Sequence, residues 1–257
     1  MYSAETRDRH LTQFIQELQN NVDVEGVVQL GSGVNGYQDI YSDIDLMVAS
    51  SPHVSSTDVK EELATYFSTL DHIIVKEKKF SSDIFLLIVI LKNGLEFNVS
   101  IVPLEKLTVR SPLWRVILDK DDRVLAKMTK EDELFQNQET PYRFHIDPSF
   151  EFFYLSHALE KELKRNNFIY ALNMLEELRS LTLLVQTLKE EKKAHQFKAY
   201  HTLQSLFVQS YLDTFPHTID ITSIRASREK IQILFLQSMQ DHPQFLKDET
   251  LLYSFTL

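Results

Sequence analysis

The hydrophobic residues of this chain change their period once, and the change falls between Pro141 and Pro148. Upstream, alternating segments and short apolar runs are mixed with helical stripes; downstream, only helical spacing remains. A chain written this way points to an α+β domain with a mixed sheet over residues 1–140, followed by an all-α helical bundle over 147–257. At 257 residues, each part is large enough to bury a core. The join is short and has no low-complexity linker. The two parts are therefore expected to pack together, with the ligand site in the cleft between them.

The upstream half opens with Leu11, Phe14, Ile15 and Leu18 at helical spacing, an amphipathic helix that needs a partner surface. Residues 26–30 form a short apolar run ending at Gly31 and read as a buried strand. From Asp43 to Val48 the pattern alternates: Ile44, Leu46 and Val48 face one way, Asp43, Asp45 and Met47 the other. Val59, Leu63, Phe67 and Leu70 mark a second helix, with Ser56, Thr57 and Asp58 as candidate caps. Runs 84–91 and 95–102 flank Asn93-Gly94, a strong hairpin signal because both residues tolerate positive φ. In the downstream half, stripes through Phe152, Leu155, Leu159 and Leu163, and through Phe168, Ala171, Leu175, Leu178, Thr182 and Val185, mark two helices. Two more are expected over 201–212 and 224–239.

Chemistry concentrates in residues 30–46. Three of the five glycines stand at positions 31, 33 and 36, directly after a predicted strand. Glycine lets backbone N–H groups approach a phosphate, and a helix starting there would aim its positive end at the same anion. Asp43 follows Ser32 by eleven residues, and Asp45 projects from the same strand face. Same-face neighbours on a strand lie about 6.5 Å apart, twice the rise per residue. Two carboxylates at that spacing converge on Mg²⁺, which prefers oxygen ligands and keeps phosphate oxygens in its shell.

Gly31-Ser32, a ten-residue gap and Asp43-x-Asp45 on a strand resemble the signature of the DNA polymerase β-like nucleotidyltransferase superfamily. Tyr41-Ser42-Asp43-Ile44-Asp45-Leu46 is similar to its antibiotic-modifying branch, the aminoglycoside and lincosamide adenylyltransferases. The resemblance implies that Gly31 and Ser32 grip a triphosphate and that Asp43 and Asp45 hold catalytic Mg²⁺. Residues 97–105 resemble the strand bearing the third carboxylate of aminoglycoside adenylyltransferases, and 117–121 a weaker apolar-then-acidic match. The expected third carboxylate is replaced by Asn98, while Glu96 shares that strand face and carries a charge. Both remain candidates for the site.

The helical half offers weaker candidates. Arg179 borders an apolar seam, where it either contacts the triphosphate or pairs internally with Glu176. Lys198 stands before His201 and either reaches nucleotide or begins a helix. Glu151, beside Asp147, is a candidate base toward the acceptor, although helix N-termini favour acidic residues in any case. The nine histidines show no metal-ligand spacing; His195 and His201 do not share a helical face.

Composition narrows the partners. The balance of 27 Lys+Arg against 37 Asp+Glu, a net charge of −10, argues against a broad nucleic-acid surface and suits small or cationic ligands. The chain has no cysteine, so disulfides, thiolate metal sites and a thiol nucleophile are excluded. No apolar run has the length of a signal peptide or membrane span, so a cytoplasmic protein is expected. The resemblance implies Mg²⁺-dependent transfer of a nucleotidyl group, adenylyl from ATP, to a hydroxyl of a small molecule, and by analogy alone an aminoglycoside or lincosamide acceptor and a place in antibiotic resistance. The rival readings are an AMPylating antitoxin-type transferase acting on a protein, and a degenerate nucleotide-binding scaffold with little turnover. A homodimer stays open.

Overall fold

The computed structural model describes residues 2–37, 39, 41–137, 147–192 and 199–240. The chain divides into two compact units, Met1–Glu139 and Thr140–Leu257. The first contains a six-stranded mixed sheet and three α-helices: α1 (Ala4–Asn20), β1 (Val24–Leu30), β2 (Ile44–Ser50), α2 (Ser56–Ser68), β3 (His72–Lys79), β4 (Phe85–Leu91), β5 (Glu96–Pro103), β6 (Trp114–Asp119) and α3 (Arg123–Gln136). Strand order is β3-β4-β5-β2-β1-β6, and β2–β5 is the parallel pair.

The alternation in β2 sorts the sheet into two faces. Ile44, Leu46 and Val48 join Val27, Phe97, Val99 and Ile101 in a core covered by α1 and α2. Ser3 caps α1 by accepting from the Thr6 N–H, and Ser55 caps α2 by accepting from the Thr57 N–H. The stripes expected on these helices supply Phe14, Leu18, Val59, Leu63 and Phe67. Phe14, Phe67 and Phe97 meet with ring centroids 4.8–6.0 Å apart, and burying each is worth about 1.5–3 kcal/mol. The hairpin forms at Asn93-Gly94, where Gly94 has φ 90°.

The second face carries a smaller core in which Val28, Met47, Ala49 and Val102 meet Val124 and Met128 of α3. Met47 and Ala49 continue the face that begins with Asp43 and Asp45, and they are apolar because they pack in this core with Val124 and Met128 of α3. The Asp119 carboxylate accepts from the Val124 and Leu125 N–H groups at 3.3 and 2.7 Å and thereby caps α3. That gives the apolar-then-acidic segment a structural role: Ile117 and Leu118 lie on β6, and the acid starts the next helix.

The second unit contains α4 (Pro148–Lys164), α5 (Phe168–Lys189), α6 (Ser205–Leu212) and α7 (Ile221–Met239). The stripes on α4 and α5 meet Ile224, Ile231 and Phe235 of α7 in one core. Asp147 is the α4 N-cap, accepting from the Ser149 and Phe150 N–H groups. Residues 200–202 form a 3-10 turn, so the helix expected from 201 begins at Ser205. Residues 141–146 of the proline-bounded join lie outside the described residues, as do His195 and Lys198. Among the described residues no helix is long and apolar enough to cross a membrane.

Candidate active site

Where β1 ends, the chain enters a 3-10 turn over Gly31–Asn35. The five-residue turn stands where an α-helix aimed at phosphate was expected. Gly31 has φ 64°, a conformation that costs a residue with a side chain about 1–2 kcal/mol. A Cβ on Gly31 would stand 3.0 Å from Oδ2 of Asp45, so the turn lies directly against that carboxylate. The Gly31 N–H donates to the Leu113 carbonyl at 3.2 Å and is therefore occupied within the fold. Ser32 is exposed and Gly33 buried. Their N–H groups are the next two in the turn, and a 3-10 turn leaves its first N–H groups without an internal acceptor.

Asp43 stands immediately before β2 and Asp45 within it, both half-buried. Asn98 is the register partner of Asp45 on the parallel strand β5, and adjacent strands lie about 4.8 Å apart. Glu96 opens β5 on the same face, also half-buried. Gly31, Asp43, Asp45, Asn98 and Glu96 thus gather at one end of the sheet, on the face whose far half α3 covers.

Charges of both signs surround the strand end. The Tyr2 hydroxyl, which donates to the Ser42 carbonyl at 3.1 Å, is pushed above the ordinary tyrosine range by burial and then by Asp43, against the opposing charge of Arg7 and with Asp39 and Glu96 adding to the rise. Asp39 itself is held below the usual carboxylate range by the Tyr41 N–H and then the Ser42 hydroxyl.

Two carboxylates and an amide oxygen make a hard, all-oxygen donor set. Among the described residues no group of three or more His, Cys, Asp or Glu side chains is placed to hold a metal. That excludes a dedicated protein cage there but not Mg²⁺, which is commonly bound by one or two carboxylates together with phosphate and water oxygens. The residues present fit Mg²⁺ in the company of a triphosphate.

A family model described as Streptomycin adenylyltransferase matches residues 5–237. The chain belongs to the streptomycin adenylyltransferase family. It is therefore a member of the DNA polymerase β-like nucleotidyltransferase superfamily and a relative of the aminoglycoside adenylyltransferases. Among solved structures it is similar to an aminoglycoside 6-adenyltransferase from Bacillus subtilis, at 12% identity and TM-score 0.42, over 100% of this chain and 97% of that one. It is also similar to a nucleotidyltransferase-like protein from Exiguobacterium sibiricum, at 11% identity and TM-score 0.39, over 96% and 86% of the two chains. No curated protein matches the sequence.

In this streptomycin adenylyltransferase family member the candidates from the helical half are placed within the second unit. Glu151 is half-buried in the first turn of α4. Arg179 is 1% exposed, so the internal alternative describes it. Its guanidinium lies 3.5 Å from the Phe215 ring centroid and 4.3 Å from that of Tyr211. It donates to Thr214, to the Tyr211 carbonyl at 3.4 Å and to Glu176 at 3.1 Å. These contacts give the guanidinium a packing role within the bundle.

Sequence reasoning missed the groups packed around the 31–42 loop: Tyr2, Arg7, Gln29, Tyr37 and Arg115. One signal was available. Arg7 continues the stripe of Leu11, Phe14 and Leu18 at helical spacing, so its charge falls on the apolar face of α1, and it is 3% exposed.

Proposed function

We propose that this protein transfers a nucleotidyl group, adenylyl from ATP, to a hydroxyl of a small molecule of the aminoglycoside or lincosamide type. The observation that carries the reading is the contact of the Gly31 turn with the Asp45 carboxylate, 3.0 Å from where a Cβ would stand. It sets the glycine turn, read here as the phosphate grip, beside a carboxylate read here as a metal ligand. Membership in a nucleotidyltransferase family supports the reaction class, and the family's description supports the acceptor class.

In the reaction the acceptor oxygen attacks the α-phosphorus, the bond to the bridging oxygen breaks, and pyrophosphate leaves. Asp43 and Asp45, with the Asn98 amide oxygen beside them, would hold Mg²⁺. When bound, the ion supplies charge neutralisation at the α-phosphate and alignment of the attacking oxygen. The Ser32 hydroxyl and the Ser32 and Gly33 N–H groups receive the β and γ phosphates, while Gly31 sets the turn. Asn98 accepts no proton, so Glu96 on the same sheet face takes the proton of the attacking hydroxyl. The carboxylates of Asp43, Asp45 and Glu96 at the strand end favour a cationic acceptor.

A second reading, binding with little turnover, is favoured by Asn98 at the register position beside Asp45. Loss of general-base assistance costs about 10²–10⁴-fold in rate. Purified protein with labelled ATP, Mg²⁺ and a panel of aminoglycosides and lincosamides separates the two. Acceptor-dependent pyrophosphate release is expected. Binding without release on any acceptor selects the second reading, and no binding refutes both.

A further inference from the structure

Gln29 is the polar exception on the core face of β1. It is 1% exposed, and its register partner on β2 is the core residue Leu46. Burying an amide costs roughly 2–7 kcal/mol unless its hydrogen bonds are made, and here both ends are engaged. Oε1 accepts from Nη2 of Arg115 on β6 at 2.7 Å, and Nε2 donates to the Tyr37 hydroxyl at 3.1 Å. The Tyr37 ring in turn carries the Arg7 guanidinium 3.6 Å from its centroid, and Arg7 Nη1 donates to the Asp39 carbonyl at 2.9 Å.

This chain of side chains touches the loop between the Gly-Ser turn and Asp43 at three places. Arg115 also donates to the Gly33 carbonyl at 3.4 Å. A Cβ on Gly33 would stand 2.4 Å from Gln29 Nε2 and 2.9 Å from Tyr37 Cζ, so the loop is seated on that pair without spare room. Tyr37 is itself a loop residue, and Asp39 is the third point. Burial first of all holds the Tyr37 hydroxyl above the ordinary tyrosine range, so it stays a neutral hydrogen-bonding group at physiological pH.

We propose that Arg115, Gln29, Tyr37 and Arg7 form a positioning network that fixes Ser32 and Gly33 relative to Asp45, and so sets the affinity of the site for the triphosphate. None of the four is assigned a contact with the nucleotide; they act through the loop they hold. The inference rests on the functional reading above, and its test keeps the two apart.

Two variants carry the test. Tyr37→Phe removes only the hydroxyl and keeps the ring under Arg7, and Arg115→Met removes the donors, with Arg115→Lys as the conservative rescue. Mg·ATP affinity is read by calorimetry, hydrogen exchange of residues 31–37 by mass spectrometry, and stability by thermal melting. Tyr37→Phe and Arg115→Met should each weaken Mg·ATP binding about 5- to 10-fold, the scale of one net hydrogen bond. Both should speed exchange in the 31–37 segment, and Arg115→Lys should restore much of the affinity. Unchanged affinity and exchange in both variants, or a lower melting temperature with wild-type affinity, overturns the network as a positioning device. A wild-type protein that does not bind Mg·ATP overturns the functional reading, and the inference with it.

Discussion

Gly31 and Gly94 both adopt positive φ, 64° and 90°, but they differ in what surrounds them. A Cβ at Gly94 meets nothing within 4 Å, whereas one at Gly31 stands 3.0 Å from Asp45 Oδ2. Substitution by alanine therefore separates backbone strain from site geometry. Each change costs about 1–2 kcal/mol through its backbone, which lowers the melting temperature by roughly 2–8 °C for a unit of this size. Only Gly31→Ala also pushes the Asp45 carboxylate aside by a few tenths of an ångström. A displaced carboxylate forfeits an interaction on the scale of a charge-assisted hydrogen bond, about 1.5–3 kcal/mol, or roughly ten- to a hundredfold in Kd. Calorimetric titration with Mg·ATP, paired with thermal melts, should show two similarly destabilised proteins of which only Gly31→Ala binds weakly. A folded Gly31→Ala variant with wild-type affinity refutes the reasoning. Equal loss of affinity in Gly94→Ala would show that the effect is global and has nothing to do with Asp45.

The catalytic base is tested by pyrophosphate release from Asn98→Asp, Glu96→Gln and Glu151→Gln: collapse in either glutamine variant, with no gain in Asn98→Asp, places the base at that glutamate, whereas a gain in Asn98→Asp supports the low-turnover reading. Arg179→Ala should destabilise the second unit by about 2–5 kcal/mol through lost packing between Tyr211 and Phe215, read by urea unfolding, and leave Mg·ATP affinity unchanged; lost affinity without lost stability contradicts the structural role. Glu162, held below its ordinary value of 4.5 by the Asn167 side chain and then by Arg165, contributes stability that is complete above pH 4.5 and lost as pH falls through the depressed folded value. The melting temperatures of wild type and Glu162→Gln should therefore differ at neutral pH and converge in acid, and a gap that widens in acid has the wrong sign.

Much of the fold was legible because periodicity registers burial directly. The α1, α2, α4 and α5 stripes, the β2 alternation and the Asn93-Gly94 hairpin all mark residues that the cores contain. What escaped has a physical reason. β3 pairs only with β4 at the sheet edge, so His72–Lys79 is mostly exposed and carries lysines in place of alternation. α3 starts from an acid on the preceding strand and not from a cap residue next to it. In the candidate site, the nearness of the Gly-Ser turn to the strand carrying Asp45 was readable because the spacing is local. The Asp45–Asn98 adjacency depends on a parallel strand pairing, and the Arg115–Gln29 bond on residues 86 apart. No local spacing encodes either. The bond from the Gly31 N–H to the Leu113 carbonyl is likewise between residues far apart in sequence.

The central claim is that Asp43 and Asp45 bind the metal of a metal–nucleotide complex at the Gly31 turn. Isothermal titration with ATP, with and without Mg²⁺, on wild type, Asp43→Asn and Asp45→Asn tests it most directly. Both variants should stay folded, because the two side chains lie outside both cores of the sheet. Saturable, Mg²⁺-dependent binding to the wild type and its loss in each variant is the expected result; Mg²⁺-independent binding, or equal affinity in all three proteins, would contradict the account.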